Sequence, residues 1–599
     1  MNPLRFIRTV EQMNVGQATA RIKHELWLRT RRKRSWAALG ADGEAYSIQR
    51  DARVTHVSEE LVRLNRLADE WLAGVVEHVG IAGQTRDWSG IGKPKLWRYE
   101  KHYHSELVAL AARAHAEPNG PWVQAAHDLQ ESWATANPPE KGDAWEPYPT
   151  ARRILSTAEA VAIEPAIATA QTATQLAIQL KHLAQHLEHH LRGNHLICDA
   201  AALCAGGAVL AGPEGEAAMK LGAPLLEKEL AAQLLPDGGY AERTVQYHAL
   251  VMKDALLALE LSRTRSAELR PRIDELLGKM ALWLWRSRRP DGTWPLVNDA
   301  VPLAFSFARE ALSRAEMLHL FAAPTPLPNV ELLDTGWTFV RDVGTELFFD
   351  TGMIGPRDQP GHGHADSLAY ELRWSGVPVV TDSGVTTYER NDVRTFERSA
   401  PAHATISVDG FGIDEVWASF RVGGRGKTEK VATPTIDPRV RFLRGRAQSF
   451  RGFIHERTLC FWPTRALLVF DRVLHTKSGA RILSHVPLAC GWSAAEASGA
   501  LFLLGPGARG LQLHVLTGSI AGMARGVESP RDGWESHGFG DAQARTSISL
   551  AADASGLCGY VILAPGVTTR QTTQGLALRA PGAEIALRLE NGVPCASST

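Results

Sequence analysis

Residues 324–352 read PTPLPNVELLDTGWTFVRDVGTELFFDTG, and the periodicity of the chain changes across them. Pro324, Pro326 and Pro328 cannot continue a helix, because each lacks an N–H and its ring clashes with the preceding turn. Beyond this break the period is two. WTFVRDVGTELFFDTG, SLAYELRWSGVPVVTDSG, HATISVDG, RTLCFWPTRALLVFDRV and EIALRLENG alternate apolar with polar residues and end at turn residues. Residues 334–599 are therefore expected to form a sandwich of antiparallel sheets. Before the break the period is that of a helix. SEELVRLNRLADEWLAGVVEHV, ATQLAIQLKHLAQHLEHHL, EAAMKLGAPLLEKELAAQLL and YHALVMKDALLALELSRT place apolar residues at i, i+3, i+4 and i+7. Short breakers such as GNH at 193–195 and PDGG at 236–239 separate them. Helices of similar length on short loops predict a stacked or toroidal array over residues 58–325.

At 599 residues the chain is long enough for more than one core. Its 65 Lys+Arg balance 65 Asp+Glu, which argues against nucleic acid as a partner, so a polyanion must be met by a local basic site. Six cysteines without CxxC spacing indicate neither a disulfide framework nor a cysteine zinc site. There is no apolar run long enough for a transmembrane helix. The N-terminal residues lack the apolar core of a secretory signal, so the expected location is cytoplasmic, with a periplasmic or envelope-associated placement as the alternative. Residues 1–57 form a separate basic segment. Residues 1–35 carry nine Lys/Arg against two Asp/Glu, a pattern that fits a solvated helix face or contact with an anionic membrane surface.

Histidines cluster at Gly361-His362-Gly363-His364-Ala365-Asp366. In an extended segment His362 and His364 project to one face. Asp382 ends a β-type run eighteen residues on, and His403 opens another strand. Two imidazoles and a carboxylate suit a zinc site, while satisfied histidines in a polar loop and a turn aspartate suit the same residues. Asn194-His195 stands at a loop-to-helix junction, where an N-cap accounts for the asparagine. Asp237 to Arg243 forms a turn leading into Tyr247-His248, which by composition read as core residues with satisfied polar tips.

Taken together, GNHLICDAAAL, PDGGYAERTVQYHALVMKDAL, QPGHGHADSLAYELRWSGVPVVTDSGVTTYE and ERSAPAHATISVDGFGIDEVWASFRVGGRG resemble the successive signature segments of the heparinase II/III-like polysaccharide lyases. Weaker similarity reaches LWRYEKHY at 96–103 and WEPYPT at 145–150. The resemblance implies an α+β multidomain chain, an incomplete (α/α) toroid followed by an antiparallel β-sandwich, with the active site between them. It implies β-elimination on an acidic, uronic-acid-containing polysaccharide or an oligosaccharide derived from it. Carried over to this chain, Asn194 and His195 neutralise the uronate carboxylate and Tyr247 serves as acid, and as base where geometry permits. His362 is the alternative base. His364, Asp382 and His403 correspond to the ligands of a structural zinc ion.

Arg153, Arg398 and Arg421 are candidates to pair with substrate carboxylates, and Trp97, Tyr99 and Trp145 to stack on sugars. Each also has a structural reading, as a salt bridge or a core ring. One departure stands out: the family's AHN is Ala402-His403-Ala404 here, so the asparagine is missing. Members without a signal peptide suggest a self-made exopolysaccharide as substrate. The competing functions are a non-catalytic polysaccharide-binding factor, a C5-epimerase sharing the proton-abstraction step, and a hydrolase using Asp237 and Glu242 as its carboxylate pair.

Overall fold

A computed structural model describes residues 3–12, 15–30, 46–49, 58–263, 270–433, 437–497, 499–572, 575–590 and 593–595. Arg31, Arg32, Lys33 and Arg34, the densest part of the N-terminal basic segment, lie outside them.

Six helices pack in sequence order as an inner ring: Ser58–Leu72, Ser105–Ala116, Pro147–Ile163, Gly193–Val209, Val245–Ser262 and Ala304–Met317. The last returns to touch the first and closes the ring. Four more, Trp122–Ala136, Ala170–Gln185, Pro213–Gln233 and Arg270–Arg286, pack outside the second to fifth of these. The toroid is thus incomplete in its outer layer among the described residues. Local signals start these helices where the chain needs them. Pro147 occupies the first helical position of Pro147–Ile163, where its missing N–H costs nothing. Thr169 and Thr172 form a reciprocal cap at the start of Ala170–Gln185.

Gly193–Val209 is buried over nearly its whole length, and its run of Ala and Gly lets neighbours approach closely. A Cβ at Gly206 would lie 2.6 Å from Ile154 Cγ2 of the adjacent inner helix. The ring seam is held by buried ions. Lys253 pairs with Glu60 at 3.5 Å and with Glu310, and Arg314 reaches Glu260 at 3.2 Å and Glu159 at 3.4 Å.

The last inner helix ends at Met317, and a five-stranded antiparallel meander begins at Val330. Its period of two sends side chains to two different cores. Trp337, Phe339 and Phe348 join the helical core, whereas Val340, Leu347, Phe349, Tyr370 and Leu372 join the sandwich core. Thr345–Asp350 is buried at every position for this reason. An eight-stranded sheet, built on Arg441–Gln448, Ile454–Trp462, Ala466–Leu474 and Leu557–Leu563, contributes to the same sandwich core. So does a four-stranded sheet containing Ile406–Val408 and Ile482–Pro487. All the ladders that pair these strands are antiparallel. No described helix is long and apolar enough to cross a membrane.

Candidate active site

Where the toroid meets the meander, one carboxylate organises two loops. Asp299 is fully buried. Its Oδ2 accepts from His362 Nδ1 at 2.8 Å and its Oδ1 from His364 Nε2 at 2.8 Å. The Arg394 fork donates to the same two oxygens at 2.5 and 2.7 Å. Burial opposes its charge, but the guanidinium and both imidazoles outweigh burial and hold Asp299 well below the usual carboxylate range. An ionised carboxylate only accepts. Protons therefore sit on His362 Nδ1 and His364 Nε2, and His362 Nε2 and His364 Nδ1 are the nitrogens turned away from Asp299. The loop is fixed to match: Asn298 Oδ1 accepts from the His364 N–H at 2.9 Å, and the Asp299 N–H donates to the His362 carbonyl at 3.1 Å.

Tyr247, in the first turn of Val245–Ser262, stacks its ring on His362 with centroids 3.8 Å apart and planes inclined by 29°. Its hydroxyl lies 3.2 Å from that of Tyr388. Burial first, then Tyr388 and nearby carboxylates, push the Tyr247 phenol well above its ordinary pKa, so it holds its proton. His248 does what its composition suggested: it stacks on Trp283 at 4.3 Å and its Nε2 meets the Met280 carbonyl at 3.1 Å.

The opposite wall is the start of Gly193–Val209. Arg192 precedes the first helical residue with φ +55°, so Asn194 is inside the helix and is not its N-cap. Gly193, also at φ +55°, leaves room for Glu242, whose Oε1 would lie 2.8 Å from a Cβ there. The Asn194 backbone N–H donates to Glu242. Glu242 Oε2 is buried without a hydrogen-bond partner among the described residues and stands 3.9 Å from His362 Nε2. His195 Nδ1 is 2.8 Å from Glu188 Oε2, and its ring packs 4.4 Å from Tyr148. Burial lowers the basicity of His195, but Glu188 outweighs it and raises the imidazole above its ordinary value. The acidic group that the Asn194 N–H and the positive helix end hold between Asn194 and His362 is the Glu242 carboxyl.

Behind His362, donor atoms of His364, Asp382 and His403 all lie within 4.8 Å of one another, and all three residues are buried. His403 Nδ1 donates to Asp382 Oδ2 at 2.7 Å, while His403 Nε2 and His364 Nδ1 have no hydrogen-bond partner among the described residues. Burial pushes His364 down to about 4 and keeps it neutral. Two orphaned imidazole nitrogens beside a carboxylate fit a tetrahedral cation. Where the family's asparagine is absent, backbone clamps hold the segment. Buried Arg545 donates to the carbonyls of Asp382 and Ala402, each at 3.0 Å.

The substrate-contact expectations need correction. Arg153 is fully buried, donates to Gln179 Oε1 at 2.8 Å and the Ala144 carbonyl at 2.9 Å, and packs 4.0 Å from the Trp133 ring. Trp97 and Trp145 are equally buried, with their indole N–H groups spent on the carbonyls of Ile81 and Asn137. None of the three is open to a sugar. Arg398, 1% exposed, instead ties the His362 loop by donating to the Gly363 carbonyl at 2.8 Å. Tyr99 is half-buried with its hydroxyl on Glu146, and Arg421 is exposed. The proposed hydrolytic pair also fails. Asp237 accepts from the N–H groups of Thr335 and Gly239 at 2.6 and 3.0 Å, which makes it a turn residue.

Sequence reasoning missed Asp299, Arg394, Tyr388, Glu188, Tyr148 and the groove-facing position of Phe420, whose ring is 5.5 Å from His362 and 42% exposed. Only Glu242 had been noticed, for a different role.

An inner ring of helices facing an antiparallel sandwich, with the polar cluster at their junction, defines a toroid-plus-sandwich protein. The model for "Heparinase II/III N-terminus" matches residues 95–325, and that for "Heparinase II/III-like, C-terminal" matches 324–577. The chain belongs to the heparinase II/III-like family. A heparin-sulfate lyase of Bacteroides thetaiotaomicron is 24% identical over 340 residues, a match spanning 49% of this chain and 46% of that relative. Among solved structures, a heparinase III superposes with a TM-score of 0.71 at 16% identity, covering 96% of each chain. A heparan sulfate lyase from Pedobacter heparinus gives 0.58 at 18%, covering 96% of this chain and 93% of that one. These likenesses bear on the fold.

Proposed function

We propose that the chain is a polysaccharide lyase that cleaves a uronic-acid-containing polysaccharide, or an oligosaccharide derived from one, by β-elimination. The observation that carries this reading is the Asp299 bond, which places a proton of His362 on Nδ1 and directs Nε2 away from Asp299, with the ring stacked on that of Tyr247, whose hydroxyl holds its proton. Asn194 and protonated His195 bind the uronate carboxylate and stabilise the charge that develops on it. His362 Nε2 removes the C5 proton. The C4–O4 bond breaks, C4 and C5 become doubly bonded, and Tyr247 protonates the departing O4. The exposed ring of Phe420 offers a face for a sugar beside these groups. A panel of uronic polysaccharides, bacterial exopolysaccharides included, tests the activity. The ultraviolet absorbance of an unsaturated uronate should rise on at least one member, and a panel bound tightly but left intact would support the binding-factor alternative.

The same reading gives a pH prediction. Glu188 keeps His195 charged above its ordinary range, and that charge is lost as pH rises through the raised pKa. Glu188→Gln should therefore move the alkaline limb of kcat/KM to lower pH. An unmoved limb would remove His195 from the role of cation.

His364, Asp382 and His403 would hold a zinc ion. When bound, it ties the His362 loop to the sandwich and has no part in proton transfer. Metal analysis is expected to find about one zinc per chain. His403→Ala should abolish it and lower the melting temperature, whereas metal-free parent protein as stable as the loaded form would refute the site.

A further inference from the structure

The helices Pro3–Val10 and Val15–Thr30 lie outside the toroid and touch both walls of the cleft. On the sandwich side, Glu415 accepts from Arg5 Nε at 3.2 Å and from Arg8 at 2.6 to 3.0 Å, and Trp417 Nε1 donates to Thr9 Oγ1 at 3.2 Å. Glu415 and Trp417 stand a few residues before Phe420, which touches His362. On the toroid side, His24 stacks on His190 at 4.1 Å and Trp27 on His186 at 4.3 Å. These two histidines flank Glu188, the partner of His195. Between the walls, buried Gln17 reaches the Asp358 carbonyl at 3.5 Å, and Asp358 in turn pairs with Arg192 at 2.9 Å, beside Gly193-Asn194-His195. The basic N-terminal residues Arg5 and Arg8 are therefore spent on a buried carboxylate. Arg421 is exposed, and Arg21 pairs with Glu25 at 2.8 Å.

We infer that these two helices strap one end of the substrate groove shut, so that the enzyme engages an acidic polysaccharide at a chain end and releases short products. An internal site on a long polymer needs a groove open at both ends. Here the path beyond His195 and Phe420 is occupied by chain latched to both walls. Exposed Arg421, next to Phe420, suits the acidic group of a terminal sugar.

This inference rests on the lyase reading, and its test separates the two. The parent protein is compared with an Arg5→Ala/Arg8→Ala variant and with a chain lacking residues 1–30, the double variant covering the case in which the truncated chain fails to fold. Product lengths and viscosity are followed early in digestion of a long uronic polymer. The parent should give short products from the start, with viscosity falling only in proportion to turnover. Both variants should give intermediate lengths and an early viscosity drop, the double variant at unchanged kcat/KM on a short oligosaccharide. Binding to a polyuronate with both ends blocked is measured in parallel, and the parent should bind it about tenfold more weakly than a free-ended chain of equal length. Intermediate products from the parent, an unlatched variant with the parent's product pattern, or equal binding of the blocked chain overturns the strap. Absence of turnover on every substrate counts against the lyase reading alone, since the binding comparison still decides the strap.

Discussion

Replacing Tyr247 by phenylalanine is expected to lower kcat by about 10²–10⁴-fold while leaving KM and the fold nearly unchanged. The substitution removes one hydroxyl. The ring keeps its 3.8 Å stack on His362, and the lost partner is only the Tyr388 hydroxyl at 3.2 Å, a neutral hydrogen bond worth about 1 kcal/mol. The kinetic loss corresponds to about 3–5 kcal/mol of barrier, far more than the stability change. The large ratio follows from charge: without the phenolic proton, O4 must leave as an alkoxide in a buried site. A variant that retains full turnover would show that another group protonates O4, and Tyr388, next to the same hydroxyl, would be tested next.

Asp299 should give the second large effect, and its two substitutions separate fold from chemistry. In Asp299→Ala, Arg394 loses both short contacts while remaining 1% exposed, and two imidazoles lose their common acceptor. An uncompensated buried guanidinium costs about 3–5 kcal/mol, reduced here because Arg394 also donates to the Ser419 carbonyl. A lower denaturation midpoint is the expected reading. Asp299→Asn keeps the shape but presents an amide N–H to groups that themselves donate, which favours the wrong tautomer of His362 or His364. It should fold and yet lose about 10²–10⁴-fold in kcat. Full activity in folded Asp299→Asn would mean that the His362 tautomer does not matter, and His362 would cease to be the base.

Much of the fold was open to reading because it rests on local periodicity. The change from a period of 3.6 to a period of two at Pro324–Pro328 agrees with a last inner helix ending at Met317 and a first strand at Val330. The residues brought together at the cleft were legible only as separate motifs. What joins them comes from afar: Asp299 is 63 residues from His362 and 95 from Arg394, in segments whose composition is that of ordinary loops. Glu188 and Glu242 sit near the motifs but look like turn or cap residues until His195 and His362 are placed against them. The errors have one physical source. Trp97, Trp145 and Arg153 stand beside motif segments, yet aromatic rings and a guanidinium stack as readily in a core as on a sugar. Burial decides between these uses, and burial is a property of the ring of helices as a whole. The ion pairs of Arg5 and Arg8 within the N-terminal basic stretch were not legible either, because their partner Glu415 lies some 400 residues further along the chain.

The chemistry is tested most directly by the mass and structure of the new chain ends when a uronic polysaccharide is digested in heavy-oxygen water. Elimination predicts a non-reducing end one water lighter than a hydrolytic product, with a C4–C5 double bond and no heavy oxygen, formed by the parent and at a greatly reduced rate by Tyr247→Phe. Saturated non-reducing ends, with the solvent's oxygen on C1 of the new reducing ends, formed equally by both proteins, would contradict it.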